Sequence, residues 1–506
     1  MNLFDAVVSA YNPVAGLKRA MARKALRGFE AASRGRRTDG WRTTGSDANS
    51  EIGKGQHLLR DRARAMRRDN PYAERGISAI ASNTVGYGIV PDPKGRARQK
   101  KKALALWAQW AETAACDATG MGDFYGIQNL AMQSIAESGE VLIRRVWTPG
   151  KNVVNFQIQI LEADHLDDSK NYALGDGGYI EQGIEYNASG ERTHFWLFPQ
   201  HPGGTIKSLK AGTVSEQVPA DDVAHIFLRK RPGQTRGYSW MAPVILRMRN
   251  FDEMEDAVIE QAKVAACFAA IINQDDTSMG GPAKEKPSMI ERLEPGLIER
   301  MGVGESVTFG TPPTFNGYDS YSKQSLRATS VGLGVPYEVL TGDLTGVNFT
   351  SGRMGWLEFG RNIDVWRWQM LVPQLCSRVW SWFNEAANLS ANGWPEFIQA
   401  GWIAPRRDLI DPTKELDALS REMRIGALSF SGMLKERGIN DTDAHIQQMV
   451  EDNKAIDAAG LVLDSDPRKV SGAGLTQARP GGTVLPSTDV APGNETDTLP
   501  ETEGAL

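Results

Sequence analysis

Hydrophobic positions change period several times along this chain, and each change marks a different kind of element. From His57 to Val85 the apolar residues fall at helical spacing: Leu58 and Leu59, Met66, then Ile77, Ile80, Ala81 and Val85. Pro71, placed after a capping Asn70, opens a second helix within that stretch. Val85 to Val90 reads as a short strand. A helix with Leu104, Trp107 and Trp110 and another from Gly126 to Gly139 follow. Between Val141 and Phe227 the period falls to two. Val141/Ile143, Phe156/Ile158/Ile160, Ile180 to Tyr186 and Thr193 to Phe198 alternate like half-buried strands, and Asn187-Ala188-Ser189-Gly190 supplies a hairpin turn. This half is predicted to be α+β with a largely antiparallel sheet.

The helical period returns after the breaker PGQTRG at 232–237. A long helix is predicted from about Trp240 to Ile272, roughly 50 Å at ~1.5 Å per residue. Its seam is Val244, Met248, Phe251, Val258, Ala262, Ala265, Ala269 and Ile272, interrupted by Glu255, a pattern suited to packing along another helix. Residues 273–317 lose the period, with strand-like pieces at Leu297 to Met301 and Ser306 to Phe309 joined by a glycine turn. From Ser325 the chain reads as a helix ending at Gly332 and Gly334, then Pro336 and a loop from Thr341 to Thr350. A strongly helical stretch from Gly355 to Leu389 follows, interrupted near Pro373. Seven tryptophans lie between Trp356 and Trp402, a stripe read as core packing. Two further helices are predicted, Pro412 to Gly426 and Thr442 to Ala459, the second stopped by Gly460.

Charge sharpens this layout. The net charge is −5, yet residues 1–102 carry 22 Lys and Arg against 9 Asp and Glu. Such a basic stretch serves either as a solvated surface or as a contact for nucleic acid or an acidic partner. Residues 1–55 read as a basic, partly disordered or extended arm. The chain after about Asp464 is Gly-, Pro- and Thr-rich, with five acids and no base after Pro480, and reads as a disordered tail. The longest apolar run, Val264 to Ile272, is nine residues, about half of the ~20 that a membrane span needs. Cys116, Cys267 and Cys376 are too few and too scattered for a disulfide framework or zinc site, which suits a reducing compartment.

Catalytic signatures fail one after another. There is no G-x-x-x-x-G-K-S/T, no dinucleotide glycine fingerprint, no H-E-x-x-H and no G-x-S-x-G elbow. The best enzyme-like constellation is acidic: Glu137, Glu140, Glu162, Asp164, Asp167 and Asp168. A Mg²⁺-dependent nuclease using Glu162 and Asp164 is the alternative this cluster keeps open, against a solvated edge and turn around a sheet. No catalytic residue, cofactor or metal site is otherwise indicated.

Several separated blocks, in order, resemble the lambda type of bacteriophage portal protein. They are RAMRRDNPYAERGISAIASNTVGYGIVP (64–91), LEADHLD (161–167) and VAHIFLRKRPGQTRGYSWMAPVI (223–245), then SLRATSVGLGVPYEVLTGDLTGVNFTSGRMGWLEFGR (325–361) and DPTKELDALSREMRIGALSFSGMLKERGIND (411–441). The resemblance spans roughly residues 57–465. It implies a mainly helical α+β portal fold: an antiparallel-sheet wing, long stem helices, a small α/β clip and a helical crown.

The implied division is a basic N-terminal arm (1–56), wing (57–238), first stem helix (239–272) and clip (273–317). A second stem helix (318–340), tunnel loop (341–353), wing helix (354–404), crown (405–465) and acidic tail (466–506) complete it. The implied assembly is a homo-oligomeric ring, usually a dodecamer, at one capsid vertex of a virion put together in the host cytoplasm. Double-stranded DNA passes through it during packaging and ejection. Terminase large subunit, major capsid and scaffold proteins, and head-completion or neck proteins are the implied partners, with no membrane. Another DNA-binding minor capsid or neck protein is the alternative within this class.

A channel that lets DNA slide must not hold it, because each phosphate neutralised by Lys or Arg deepens a binding well. Between Arg327 and Arg353 the sequence has no Lys or Arg. The resemblance places Gly342, Asp343, Leu344, Thr345, Gly346, Val347 and Asn348 in the loop facing the DNA, with Leu344, Thr345, Val347 and Asn348 nearest it and the glycines supplying flexibility. Asp252, Glu253, Asp256 and Glu260 are the expected channel-stem acids, set against Arg247, Arg249 and Lys263, for a mildly negative lining. Arg60, Arg62, Arg64, Arg67 and Arg68 are expected to pair with acids of neighbouring subunits or to face capsid or scaffold.

Overall fold

The computed structural model describes residues 43–204, 214–267, 317–390, 397–407, 411–439 and 441–461, short strands at 271–274 and 305–308, and a few isolated positions. In chain order the helices and strands begin with α1 (Ala48–Gly53), α2 (Gln56–Asp69), α3 (Pro71–Val85), β1 (Val90–Pro93), α4 (Ala97–Ala111) and α5 (Phe124–Ser138). Then come β2 (Glu140–Trp147), β3 (Phe156–Glu162), β4 (Tyr172–Ala173), β5 (Tyr179–Glu181), β6 (Ile184–Tyr186), β7 (Arg192–Leu197), β8 (Glu216–Pro219) and β9 (Val223–Phe227). The second half holds α6 (Ile245–Cys267), β10 (Ile271–Gln274), β11 (Glu305–Thr308), α7 (Tyr318–Leu333), α8 (Tyr337–Thr341) and α9 (Phe349–Trp366). A π-helical segment (Arg367–Cys376), α10 (Ser377–Ser390), β12 (Ala400–Ile403), α11 (Pro412–Arg424), α12 (Phe430–Glu436) and α13 (Thr442–Ala458) complete the order. The chain divides into two compact units, residues 1–89 with 104–398, and residues 90–103 with 399–506.

The first unit is built around two antiparallel sheets, ordered β3-β2-β9 and β4-β5-β6-β7-β8. The alternating residues Leu142, Leu161, Ile184, Phe195, Leu197 and Val223 form one buried cluster, which is what period-two patterning specifies. The stretch 180–186 is two strands rather than one. Gln182 and Gly183 both take positive φ (49° and 80°), the geometry of a two-residue hairpin turn. The Asn187–Gly190 turn forms as expected, with Gly190 N–H donating to the Asn187 carbonyl at 2.9 Å.

An aromatic core occupies the other side of this unit. Trp107, Trp110, Phe124, Phe156, Trp380 and Phe383 meet with ring centroids 4.6–6.2 Å apart. Two of the buried indole N–H groups have carbonyl acceptors: Trp110 donates to that of Phe156 (3.0 Å) and Trp380 to that of Ile398 (2.7 Å). The tryptophan stripe is thus largely core, although Trp368 is half exposed.

Several boundaries differ from the sequence expectation, each for a local reason. The long helix begins at Ile245, not Trp240, because Pro243 disfavours helical geometry at the residue before it and 240–244 forms turns instead. It ends at Cys267, and Ile271 and Ile272 leave it for β10. The partner of β10 is β11, with Ile272 opposite Val307; the expected strand at Leu297 to Met301 lies outside the described residues. Val85 ends a helix rather than opening a strand. Gly86 and Gly88 turn the chain at positive φ, and the strand is Val90–Pro93, paired with Ala400–Ile403 in the second unit.

Residues 48–53 of the expected arm form a helix capped by Asp47, whose side chain accepts from the Asn49 and Ser50 N–H groups. The helix expected from Gly355 starts six residues earlier, at Phe349, and Pro373 does not break it. The backbone widens into the π segment, which absorbs the missing N–H and the ring's bulk, and continues as α10.

In the second unit, Asp92 on β1 accepts from Lys94 and from Lys435 on α12, both at 2.6 Å, which ties that helix to the strand. Helix α12 has no counterpart among the expected helices; its cap is Ser429, whose Oγ accepts the Gly432 N–H at 3.0 Å. No residue of α11 or α13 is buried.

Candidate functional site

Gly334, in left-handed geometry (φ 71°), stops α7, and Gly342 (φ 73°) stops α8. The loop 342–348 that follows is short and internally ordered. Asp343 Oδ1 accepts the Thr345 N–H at 3.0 Å and its hydroxyl, while Tyr337 Oη donates to Asp343 Oδ2 at 3.3 Å. These hydroxyl and amide donors hold the Asp343 carboxyl below its usual range. Gly346 carries φ 99°, a value L side chains rarely adopt. The glycines therefore fix the path of the loop as much as they loosen it. A capping box closes it: Ser351 N–H donates to Asn348 Oδ1 at 2.8 Å and Asn348 N–H donates to Ser351 Oγ at 3.2 Å. The loop turns its side chains to solvent, with Leu344 69% exposed and Thr345 and Asn348 exposed beside it.

Helices α6 and α7, expected to be the stem helices, pack side by side. Val244, Met248 and Phe251 of the predicted seam are buried, while farther along Val258 is only partly covered and Ala262 is exposed. The acids are partly neutralised in place. Asp252 accepts from Asn70 Nδ2 (2.6 Å), Glu253 pairs with Arg249 (2.9 Å), Glu260 pairs with Lys263 (2.7 Å), and Glu255 accepts from Tyr318 Oη (2.8 Å). Asp256 is exposed.

The basic helix and the acidic cluster, singled out separately in the sequence, find each other. Arg64 Nη2 donates to Glu162 at 2.7 Å and to Asp164 at 2.6 Å; Arg67 pairs with Glu74 (2.6 Å) and Glu137 (2.8 Å); Arg60 reaches Asp164 at 3.1 Å. Arg60, Arg64 and Arg67 thus have acidic partners within their own chain; Arg68 meets its neighbour Asp69 at the surface, and Arg62 is exposed. The two arginines hold Asp164 down to about 2 against the opposing effect of burial. His201 joins Glu162 at 3.2 Å, and the three side chains Glu162, Asp164 and His201 converge closely enough to hold a metal ion. Arg64 already supplies the positive charge there, so a divalent cation would have to displace a guanidinium.

Behind this surface lies a buried centre on Glu140. Its carboxylate accepts from Arg236 Nη2 (2.6 Å), Gln56 Nε2 (2.8 Å), the Gly237 N–H (2.8 Å) and His225 Nε2 (2.9 Å). Arg236 foremost holds the carboxyl well below the usual range despite complete burial. Burial lowers His225 to about 4. The neutral imidazole must then carry its proton on Nε2, since a carboxylate only accepts. The breaker PGQTRG is thereby pinned to the start of β2. Gly139 has φ 96°, and a Cβ there would lie 2.2 Å from the Tyr238 backbone. Cys116 and Cys376 are free and buried, and burial raises the Cys116 thiol to about 12. Among the described residues, no helix is long and apolar enough to cross a membrane.

Comparison with known proteins places this geometry in a family. The family described as "Phage portal protein, lambda family" matches residues 34–367. Among similar proteins are a probable portal protein of Halomonas phage phiHAP-1, 26% identical over 86% of this chain and 88% of its own length, and portal protein B of Escherichia phage lambda, 23% identical over 80% and 85%. A solved neck of a native gene transfer agent particle, computed with C12 symmetry, aligns over 76% of this chain and 93% of its own at 16% identity, with a TM-score of 0.45. The chain belongs to the lambda family of phage portal proteins. It is accordingly a virion component, a subunit of the ring channel at a capsid vertex for packaging and ejecting DNA.

Proposed function

We propose that the loop 342–348 lines the narrowest part of that channel and that α6, through Asp252, Glu253, Asp256 and Glu260, faces its lumen below. The observation that carries this reading is an exposed, self-supported loop between two helices within a stretch that holds no Lys or Arg from 328 to 352. A surface of Leu344, Thr345, Val347 and Asn348 offers DNA contact without phosphate neutralisation, so sliding meets no deep well. The stem acids, two of them already paired with bases of their own helix, add weak repulsion.

The subunit works in a homo-oligomeric ring, with about twelve copies the expected number. Residues 273–317 act as the clip that receives the terminase and later the neck proteins, and residues 405–465 form the crown. The arm at 1–56 and the tail at 466–506 flank these parts. The protein's role is structural; ATP hydrolysis and DNA cutting belong to a separate terminase. Deleting Gly342–Asn348 and measuring ring assembly and DNA packaging separately tests the loop. Intact rings with lost packaging or lost DNA retention support the reading, and intact rings that package and retain DNA normally overturn it.

A further inference from the structure

Helix α9 buries one face and leaves the opposite one bare. Phe359, Gly360, Ile363 and Trp366 are buried, with Trp366 against Trp240 at 5.0 Å between ring centroids. On the other side Met354, Leu357, Arg361 and Val365, and then Trp368 at the start of the π-helical segment, follow one another at steps of three, four, four and three. The four apolar members are 68%, 52%, 38% and 46% exposed. Single exposed apolar residues are ordinary, but a stripe at this spacing is the seam of a helix that packs against something. It runs over ~21 Å of helix at ~1.5 Å per residue. Its one charged member does not spoil it, because Arg361 is drawn sideways to Glu358 at 2.7 Å.

We infer that this stripe is covered by a second copy of the same chain in the assembled ring. The inference rests on the channel reading of the loop, which sets the N-terminal end of α9 nearest the axis. Identical helices pointing outward from a common axis must then crowd at their inner ends. For about twelve copies, neighbouring axes come within ~10 Å of each other at a radius of roughly 20 Å, and ~10 Å is the distance at which two helices pack. Met354 and Leu357 lie on that inner half and meet the neighbour first. Farther out the gap widens, and the larger Trp368 ring stands where more space must be filled. A closed ring also needs a heterologous contact, in which each copy offers a surface different from the one it receives. A face left bare on every copy, apolar and one helix wide, meets that requirement.

The test replaces Leu357 with benzoyl-phenylalanine in the full chain and, separately, makes Leu357→Glu and Trp368→Glu. Photolysis of assembled rings is expected to capture a second copy as a covalent dimer. Both Glu variants are expected to elute as monomers with unchanged far-UV circular dichroism, since neither side chain is buried in the single chain. Rings that form normally from both variants, or photolysis that captures no second copy, overturn the inference while leaving the ring intact as a finding. A wild-type protein that forms no ring overturns the underlying reading instead.

Discussion

Asn348 and Ser351 cap each other: the amide N–H of each donates to the side-chain oxygen of the other, at 3.2 and 2.8 Å. This exchange sets where the loop ends and where α9 begins. Loss of an Asn cap costs about 1 kcal/mol. Asn348→Ala is expected to lower stability by that amount and to speed hydrogen exchange of the amides of residues 349–352, with ring assembly unchanged. Exchange rates equal to wild type would show that the cap does not hold the helix start.

Gly346 sits at φ 99° with open space around its Cα. The penalty of a side chain there is conformational, not steric with neighbours. Gly346→Ala is expected to cost roughly 1 kcal/mol and to change the loop path, read as a lowered melting temperature and altered packaging rate.

A positive charge in the loop tests the sliding argument directly. Leu344→Lys adds one cation per subunit at an exposed position. Each phosphate contact steepens the salt dependence of DNA affinity. The variant is expected to package slowly at low salt and to recover as salt rises, in a packaging assay run across ionic strengths. A packaging rate independent of salt would count against a DNA-facing position.

Glu140 gathers Arg236, Gln56, His225 and the Gly237 amide in full burial. Removing one member of a buried charge pair costs about 3–5 kcal/mol, so Glu140→Gln is expected to destabilise the first unit by that order in denaturant unfolding. The same groups set an acid limit. Glu140 and Asp164 have lowered carboxyl pKa values, so their contribution is present above the unfolded carboxylate range and is lost as pH falls through their folded values. His225, lowered to about 4, is neutral when folded but protonated when unfolded between pH 4 and 6.5. Its burial therefore also costs stability as pH drops through that window. Stability is expected to fall steadily from about pH 6.5 downward. In His225→Phe the loss between pH 6.5 and 4 is expected to be shallower.

Arg64 stands where a divalent cation would sit among Glu162, Asp164 and His201. Wild-type protein is expected to leave DNA intact with Mg²⁺, and Arg64→Ala to acquire weak Zn²⁺ or Mg²⁺ binding by calorimetry, at a cost of about 1–2 kcal/mol in stability. Metal-dependent cleavage by the wild type would revive the nuclease alternative.

Much of this architecture was legible because periodicity reports burial. The strands between 141 and 227 and the helices on either side of the loop show their periods plainly. Their ends were less legible, since these turned on single side chains. Asn348 moved the start of α9 forward, and Pro243 delayed α6. The pairing of Arg64 with Glu162 and Asp164 could not be read, because charge complementarity across 98 and 100 residues leaves no local pattern. One signal was available: a run of arginines on a half-buried helix demands nearby acids, and the only dense acidic cluster in that half of the sequence was the one they meet. The π segment was missed for a different reason. Pro373 signals a broken helix, and nothing local distinguishes a break from a widened turn held at both ends. Here Arg367 donates to the Thr84 carbonyl at 2.6 Å and Gln374 accepts the Phe227 N–H at 2.9 Å.

An electron-microscopy reconstruction of the assembled ring tests the central claim most directly. The account predicts a holed ring of about twelve copies whose narrowest point is formed by residues 342–348, with no Lys or Arg side chain at the constriction. A constriction ringed by Lys or Arg, or a loop 342–348 lying on the outer rim, would contradict it.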